Sequence, residues 1–445
     1  AGTIAEHYEM AEEKSIAAEL YEMAAQRARD IYNMEMSTIY YCRSLSLLTE
    51  MSHFAIWQLR LQEELGYLLL RQARLVEAAQ TYMTMRFTAE EDGDLLLQAR
   101  AWNGLAEIQQ YQADYISMLE SAQQAERVAW LVNAEGAWVQ ALLHKSAALM
   151  QQDDVEMALV AANRALETSQ RLDEADLLTQ SLQRACEYHI NIGRYRPVEQ
   201  YLAQLTGHAA LLERLDNRPA FALANRALGE INSRLGRFDS AVHWLLAGMK
   251  VYRELDDQLA IGQTLDLLGE ASRLRGQSRA AIPLYRKALG MFNGLDDQLN
   301  IIKVRTNLAA ALVDMGSYEA AQRALRLVVQ LVEDFGKMAG WCDSPRVYVY
   351  EALSYLGQER IDLAMRAANR AHRKAAMQES DLALGFAWYG LARVLAKGGN
   401  GKRPLQIDGV TIDKNTRPYL IAEVSANHNG SIDKAKECIT AAARA

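Results

Sequence analysis

The chain is poor in cysteine and proline, and it lacks any long hydrophobic run. Its 445 residues include only 4 cysteines and 6 prolines. Cys42, Cys186, Cys342 and Cys438 are far apart, with no CxxC pair and no Cys/His cluster, so neither a zinc site nor a disulfide framework is indicated. No apolar run approaches the roughly 18 residues of a membrane-spanning helix, and no signal peptide is recognisable. We therefore expect a cytoplasmic protein with no membrane partner.

Positive charge is also in short supply. The formal net charge is −8, which makes nucleic acid an unlikely partner. The stretch 397–402 is a poor imitation of a phosphate-binding loop, because Ala396 and Arg403 stand where a glycine and a Ser or Thr are required. Since the chain starts at Ala1 without an initiator methionine, we also expect it to be a piece of a longer protein.

Half of the residues are hydrophobic, and some of them recur at an offset of 40 residues. Each copy carries a leucine, a glycine and an alanine at fixed spacing, and Leu255 also returns as Leu295. The copies are Leu228, Gly236 and Ala241, then Leu268, Gly276 and Ala281, then Leu308, Gly316 and Ala321. A fixed period of this size predicts stacked copies of one supersecondary unit.

Small and bulky residues alternate within each copy in a way that identifies the unit. Gly229 or Gly269 follows the leucine, and bulky Leu245 or Tyr285 follows the later alanine. This spacing resembles the tetratricopeptide repeat (TPR), in which helix A, a glycine turn and helix B form a hairpin of roughly 34 residues. The resemblance extends over residues 222–335. Weaker helical patterns continue to about Lys397, which predicts nine or ten hairpins in an all-α, right-handed α-solenoid over residues 1–397.

Short segments near the start of the chain resemble a particular kind of repeat protein. Residues 4–11, 17–21 and 41–45 are similar to the junction that follows the nucleotide-binding core in STAND and MalT-type signalling ATPases. In those families a long tetratricopeptide sensor follows the ATPase. The resemblance implies that this chain is the sensor region of such a protein.

The sequence changes character near its end. Residues 398–404 are predicted to be a glycine-rich linker, and residues 405–412 alternate around an Asp-Gly dipeptide, which favours a β-hairpin. An apolar run over 418–424 is typical of a buried strand, and Ser431 is a suitable cap for a helix over 432–444. The sequence therefore predicts the opening of an α/β domain over residues 405–445.

Residues 418–431 closely resemble the start of sialic acid synthases, particularly the pseudaminic and legionaminic acid branch. That family is a TIM barrel that condenses phosphoenolpyruvate with an amino sugar and uses a divalent metal, Mn or Mg. The resemblance implies that Glu423 binds or polarises substrate groups and that Asn427 and His428 shape the pocket. Because the chain ends about one βα unit into a barrel of roughly 250 residues, we expect no synthase activity, and no cofactor or metal, in this chain.

Two functions from different classes follow from these patterns. The first is a protein-interaction or sensor scaffold whose concave groove binds a protein or peptide. The second is an N-terminal adaptor of a phosphoenolpyruvate-dependent sialic acid synthase. If the three leucines of the clear copies are equivalent, the residues predicted to line the groove are Arg226, Glu230, Ser233, Gln263, Asp266, Glu270, Arg273, Lys303 and Thr306.

Four tryptophans fall on helical patterns. Trp102, Trp138, Trp244 and Trp388 are predicted to be core residues rather than ligand platforms.

Overall fold

The chain consists almost entirely of helices where its structure is described. A computed structural model describes residues 2–31, 33–48, 55–72, 74–112, 114–152, 154–191, 194–294, 298–339, 345–377, 381–398, 405–407 and 410–412. These residues form twenty helices and two short strands. The helices are α1 (Gly2–Met10), α2 (Lys14–Asp30), α3 (Met34–Leu48), α4 (Ala55–Arg71), α5 (Leu75–Asp92), α6 (Leu95–Tyr111), α7 (Tyr115–Leu131), α8 (Glu135–Gln151), α9 (Val155–Ser169), α10 (Ala175–Asn191), α11 (Tyr195–Arg214), α12 (Arg218–Arg234), α13 (Phe238–Glu254), α14 (Gln258–Leu274), α15 (Ser278–Gly294), α16 (Gln298–Asp314), α17 (Tyr318–Ala339), α18 (Pro345–Gly357), α19 (Ile361–Met377) and α20 (Asp381–Gly398).

The helices pack as consecutive antiparallel hairpins. Each even-numbered helix from α2 to α18 pairs with the odd-numbered helix that follows it, and we call these the A helices and the B helices; α20 is a further A helix. Successive A helices also contact one another, from α4 to α20. This arrangement gives nine hairpins within the described residues, and it confirms the predicted all-helical solenoid of TPR-like units. The predicted right hand of the solenoid stays a prediction.

Glycine makes the turns between helices A and B in the three clear copies. Gly236, Gly276 and Gly316 have φ values of 75°, 84° and 72°, a left-handed conformation that residues with a Cβ rarely adopt. The amide of Gly236 donates to the carbonyl of Ser233, and the amide of Arg237 donates to the carbonyl of Asn232, so the end of α12 is capped. The turn glycine therefore recurs at a fixed spacing in the sequence because the backbone at this position favours a residue without a Cβ.

Small residues allow close contact inside each hairpin, as their alternation with bulky residues predicts. A Cβ added to Gly269 would lie 2.6 Å from Cε1 of the buried Tyr285 ring. A Cβ on Gly229 would overlap the side chain of Leu245 in the same way. Helix α15 continues through Pro283, so this proline does not interrupt the hairpin.

Most of the apolar interior falls into two large clusters. One joins α1–α6, and the other joins α12–α20. Tyr111, at the end of α6, packs against both clusters although α6 and α12 are far apart in sequence. The end of α6 therefore reaches the C-terminal cluster through this one side chain.

One tryptophan prediction is wrong. Trp138 is buried, and Trp102 and Trp244 are half-buried, but Trp388 is 55% exposed. Trp388 lies on α20, the last A helix described, where its ring contacts His372 edge to face at 4.5 Å between centroids. A helix at the end of a described stack has fewer neighbours to cover its outer side.

The C-terminal predictions fall mostly outside the described residues. Helix α20 ends at Gly398, and residues 399–404 of the predicted linker are not among those described. Strands β1 (Leu405–Ile407) and β2 (Val410–Ile412) pair antiparallel. They do not by themselves support a TIM-barrel fragment, because the predicted strand over 418–424 and helix over 432–444 lie outside the described residues.

Candidate functional site

One face of five consecutive A helices, α10, α12, α14, α16 and α18, carries a row of charged side chains that we call the charged groove. Because successive A helices contact each other, side chains from different hairpins meet on this face. The charged groove consists of Arg184, Glu187, Arg226, Glu230, Arg234, Asp266, Glu270, Arg273, Lys303, Asp314 and Arg346.

Asp266 is the most deeply buried carboxylate of the charged groove. Its carboxylate is only 2% exposed, it accepts a hydrogen bond of 2.8 Å from Nδ2 of Asn307, and it lies 3.3 Å from Nζ of Lys303. Burial raises the pKa of Asp266, and Lys303 opposes the rise. The attraction of Asp266 in turn raises the pKa of Lys303. Since the Lys303 side chain is 52% exposed, the pair connects a buried carboxylate to a side chain that reaches solvent.

Glu230 and Glu270 are held ionised by the cations around them. Burial alone would raise the pKa of Glu230, but Arg234 and Lys303 lower it below its ordinary value. The pKa of Glu270 is lowered in the same way, chiefly by Arg346, against the effect of burial. Glu230 also accepts a hydrogen bond of 3.1 Å from Nε2 of a glutamine on α10.

The ion pairs extend across several helices. Arg346 on α18 reaches Glu270 on α14 at 3.2 Å, which is two A helices away. Arg273 on α14 pairs with Asp314 at the end of α16, also at 3.2 Å. Contacts of this kind tie neighbouring hairpins together along the groove and hold its side chains in place.

The structure brings six of the nine predicted groove residues into or beside this network. These are Arg226, Glu230, Asp266, Glu270, Arg273 and Lys303. Ser233 is buried, Gln263 is half-buried, and Thr306 is buried with its hydroxyl donating 2.8 Å to the carbonyl of Ile302 on its own helix. A binding role for any of the nine stays a prediction.

The sequence did not predict Arg184, Glu187, Arg234, Asn307, Asp314 and Arg346. The 40-residue register does not reach Arg346, because α18 begins at Pro345 and not at the position 40 residues after the start of α16. The others depend on how adjacent A helices are rotated, which the spacing does not specify.

A second charged contact joins the N-terminal hairpins to the C-terminal ones. Arg71, in the last turn of α4, pairs with Asp257, the residue that caps α14. Burial raises the pKa of Glu107 and of Asp176, and Arg71 opposes both rises. Together with the packing of Tyr111 against both clusters, this contact shows that parts of α4 and α6 come near α12–α14.

A cavity of about 520 Å³ lies away from the groove, at the turn between α7 and α8. Trp130 and Trp138 line it together with Arg164, whose guanidinium lies 5.3 Å from the Trp138 ring centroid. Two arginines and two glutamates line this cavity, so its charges balance. Its residues indicate no particular class of ligand.

Two kinds of feature were sought across the part of the chain that the structure describes. Within it, no three His, Cys, Asp or Glu side chains are grouped so as to hold a metal ion. No helix in the described ranges is long and apolar enough to cross a membrane.

Residues 220–294 match the tetratricopeptide repeat family. The match covers most of α12 and extends through α15, so it includes part of the charged groove. It confirms the tetratricopeptide interpretation for this segment. Arrays of such repeats present extended binding surfaces, and the finding supports a protein-interaction or sensor scaffold.

No curated protein matches the chain significantly. Among solved structures, a Rap protein complexed with Competence and Sporulation Factor is 12% identical with a TM-score of 0.49, over 78% of this chain and 99% of that one. A STAND protein with a tetratricopeptide repeat sensor from Pyrococcus horikoshii is 14% identical with a TM-score of 0.47, over 72% of this chain and 50% of that one. BtubC from P. vanneervenii is 17% identical with a TM-score of 0.34, over 69% of this chain and 98% of that one. Because all three TM-scores are below 0.5, none of these likenesses supports a specific function.

None of these findings supports the predicted synthase segment. Its site residues Glu423, Asn427 and His428 lie outside the described residues.

Proposed function

We propose that this chain is a protein-interaction scaffold that binds a peptide segment of a partner along the charged groove. The supporting observation is the row of ion pairs on five successive A helices, three of which join α14 to α16 or α18, and this row overlaps the tetratricopeptide match. A face built only for helix packing would be apolar. Here the packing surface between hairpins is apolar, whereas this face presents arginine, lysine and carboxylate groups.

The charges on this face favour the specificity of binding more than its affinity. Paired charges that are already held by their neighbours need little reordering when a ligand binds, so less conformational entropy is lost. Complementary charges on a partner fix its register and orientation and speed its association. An extended peptide lying across α10–α18 would meet cations and carboxylates in alternation, which favours a partner of mixed charge.

We further infer that the scaffold is the sensor region of a signalling ATPase of the STAND or MalT type. The support is the resemblance of residues 4–11, 17–21 and 41–45 to the junction that follows the ATPase core, together with the helical repeats that come after it. In such a protein, a ligand bound in the groove would alter the packing between hairpins. The ATPase domain that precedes the hairpins in the sequence would respond to this change.

The groove is tested by selecting peptides from a random library displayed on phage, using the purified chain. Selected peptides are then measured by fluorescence anisotropy against the Glu230→Gln/Lys303→Gln variant, which removes one charge of each sign from the groove. The matched control is Glu199→Gln/Arg237→Gln, which removes an exposed ion pair outside it. We expect the groove variant to bind several-fold more weakly at low salt and the control to bind like the wild type. Equal affinity of all three for every selected peptide would refute the groove assignment.

A further inference from the structure

The outer sides of three B helices carry a row of exposed cations outside the charged groove, and we call this row the basic ridge. Counted from the first residue of each helix, at about 100° per residue, its positions fall within an arc of about 100°. They therefore lie on the same side of successive B helices, opposite the buried face that includes Ala281 and Tyr285. The basic ridge consists of Arg286, Lys287, Arg323, Arg326, Arg366 and Arg373, two residues each from α15, α17 and α19.

The basic ridge lies on the outside of the array, and its charges are not neutralised there. Successive A helices pack against one another, whereas no comparable packing joins successive B helices in the described ranges, so furrows separate α15, α17 and α19. Two carboxylates, Glu319 and Asp362, lie in the first turns of α17 and α19. Within the described part of the chain, neither of them forms an ion pair, and none of the six cations does. The ridge therefore differs from the groove, where the charges are paired.

The opposite charge is concentrated towards the other end of the chain. Residues 1–120 contain 19 Asp or Glu and 9 Lys or Arg, which gives a net charge of −10. Residues 278–377, which include the basic ridge, contain 14 Lys or Arg and 10 Asp or Glu, which gives a net charge of +4. Surfaces of opposite sign attract one another before contact and favour complementary encounters. The chain therefore carries both partners of an electrostatic contact.

The N-terminal charge includes a run of three consecutive carboxylates at the end of α5, which we call the acidic tip. Glu90, Glu91 and Asp92 are all exposed, and the last turn of this helix contains no basic residue. Negative charges at a helix C-terminus are repelled by the helix dipole, so a nearby cation stabilises them. In the part of the chain that the structure describes, none of these three side chains forms an ion pair. Cations for the acidic tip must therefore come from outside the molecule.

We propose that the basic ridge binds the acidic N-terminal hairpins of a second copy of this chain, with the acidic tip seated in a furrow between neighbouring B helices. Because the contact joins two different surfaces, two copies can form it reciprocally as a dimer, or successive copies can form it head to tail. Ion pairs between exposed groups each contribute little and are screened by salt, so the association is weak and salt-dependent. It does not depend on the proposed peptide-binding groove, which lies on the A helices.

Charge reversal tests both surfaces, with sedimentation velocity of the purified chain at about 50 mM and about 500 mM salt as the measurement. Arg323→Glu/Arg326→Glu reverses part of the ridge, and Glu90→Lys/Glu91→Lys reverses the acidic tip. A fourth protein carries both reversals. The matched control is Arg196→Glu/Arg214→Glu, which reverses two exposed arginines of α11 that form no ion pair within the described residues. Circular dichroism shows whether each variant is folded.

We expect the wild type to associate at low salt and to be monomeric at high salt. Each reversal should weaken the association on the order of tenfold or more, because repulsion replaces attraction, whereas the control should associate like the wild type. The protein with both reversals should recover most of the association, since its ridge and tip are again opposite in sign. An equimolar mixture of the two single-surface variants should associate for the same reason. If one reversal prevents folding, the other reversal and the salt dependence decide.

Several results would overturn the inference. One is a wild type that stays monomeric at low salt and at its highest soluble concentration. Another is association that neither reversal weakens, that the control weakens equally, or that the double reversal fails to recover. Anisotropy with a fluorescent DNA duplex identifies a different class of partner. If the duplex binds the monomeric wild type and not Arg323→Glu/Arg326→Glu, the ridge is a nucleic-acid surface and the second copy is the wrong occupant.

Discussion

The pair formed by Asp266 and Asn307 offers the sharpest test of the charged groove. Asp266→Ala leaves Nδ2 of the fully buried Asn307 without its acceptor, and an unsatisfied buried polar group costs about 1–3 kcal/mol. Lys303 adds little to this cost, since its half-exposed side chain can turn to solvent. Asn307→Ala should cost less, because Asp266 keeps the Lys303 ion pair. The double variant Asp266→Ala/Asn307→Ala leaves neither group stranded, so it should be more stable than the sum of the single effects by about 1 kcal/mol or more.

Native-state hydrogen exchange of amides in α14 and α16 is the appropriate measurement, because long repeat arrays do not unfold in one cooperative step. A control cycle uses Thr306→Ala in place of Asn307→Ala. Thr306 is buried beside the pair, but its hydroxyl bonds to its own helix, so its effect should add to that of Asp266→Ala. Additive effects for Asp266 and Asn307 would show that they do not interact as the structure indicates.

Two further predictions concern packing and pH. Gly269→Ala should destabilise the hairpin α14/α15 by about 1–3 kcal/mol, because its Cβ would meet the ring of Tyr285. Gly290→Ala, with no atom within 4 Å of its Cβ, should be neutral or slightly stabilising. Native-state hydrogen exchange of amides in α14 and α15 compares the two variants, and equal protection would contradict the close contact. The folded-state pKa values of Glu230 and Glu270 are lowered, so these two carboxylates stabilise the fold at pH values above the ordinary pKa of a glutamate. Their contribution to stability is lost as the pH falls below about 4.5. The pKa of Asp266 is raised, so its ionisation has the opposite effect on stability. When stability is measured by urea unfolding between pH 6 and pH 3, it should therefore fall less steeply with pH in the Glu230→Gln/Glu270→Gln variant than in the wild type. Identical slopes of stability against pH would count against the ionised state of these two groups.

The sequence predicted the hairpins well because its strongest signals are local. A turn glycine with positive φ, such as Gly276, and a small residue opposite a bulky one, such as Gly269 opposite Tyr285, must recur wherever the same hairpin recurs. These constraints act within one repeat and so appear directly as a period of 40 residues.

The groove was predicted less completely because three of its five ion pairs join different repeats. Whether Arg346 reaches Glu270 depends on the rotation and spacing of α14, α16 and α18, and these follow from packing along the whole stack. The long helix α17 and the residues before Pro345 also shift the start of α18 relative to the earlier copies. The exposure of Trp388 was missed for a similar reason, since a helical pattern does not reveal whether a neighbouring hairpin covers it.

The contact between Arg71 and Asp257 changes how this array should respond to force and heat. In an open stack each hairpin touches only its neighbours, so stability is close to a sum of local terms and unfolding can start at either end and stop midway. Here a contact between α4 and α14 spans 186 residues and makes a loop of the hairpins between them. Melting any hairpin inside that loop also releases the contact, so the unfolding of each of these hairpins carries an extra cost of about 1 kcal/mol. The hairpins between α4 and α14 should therefore fray less readily than an open stack of the same repeats.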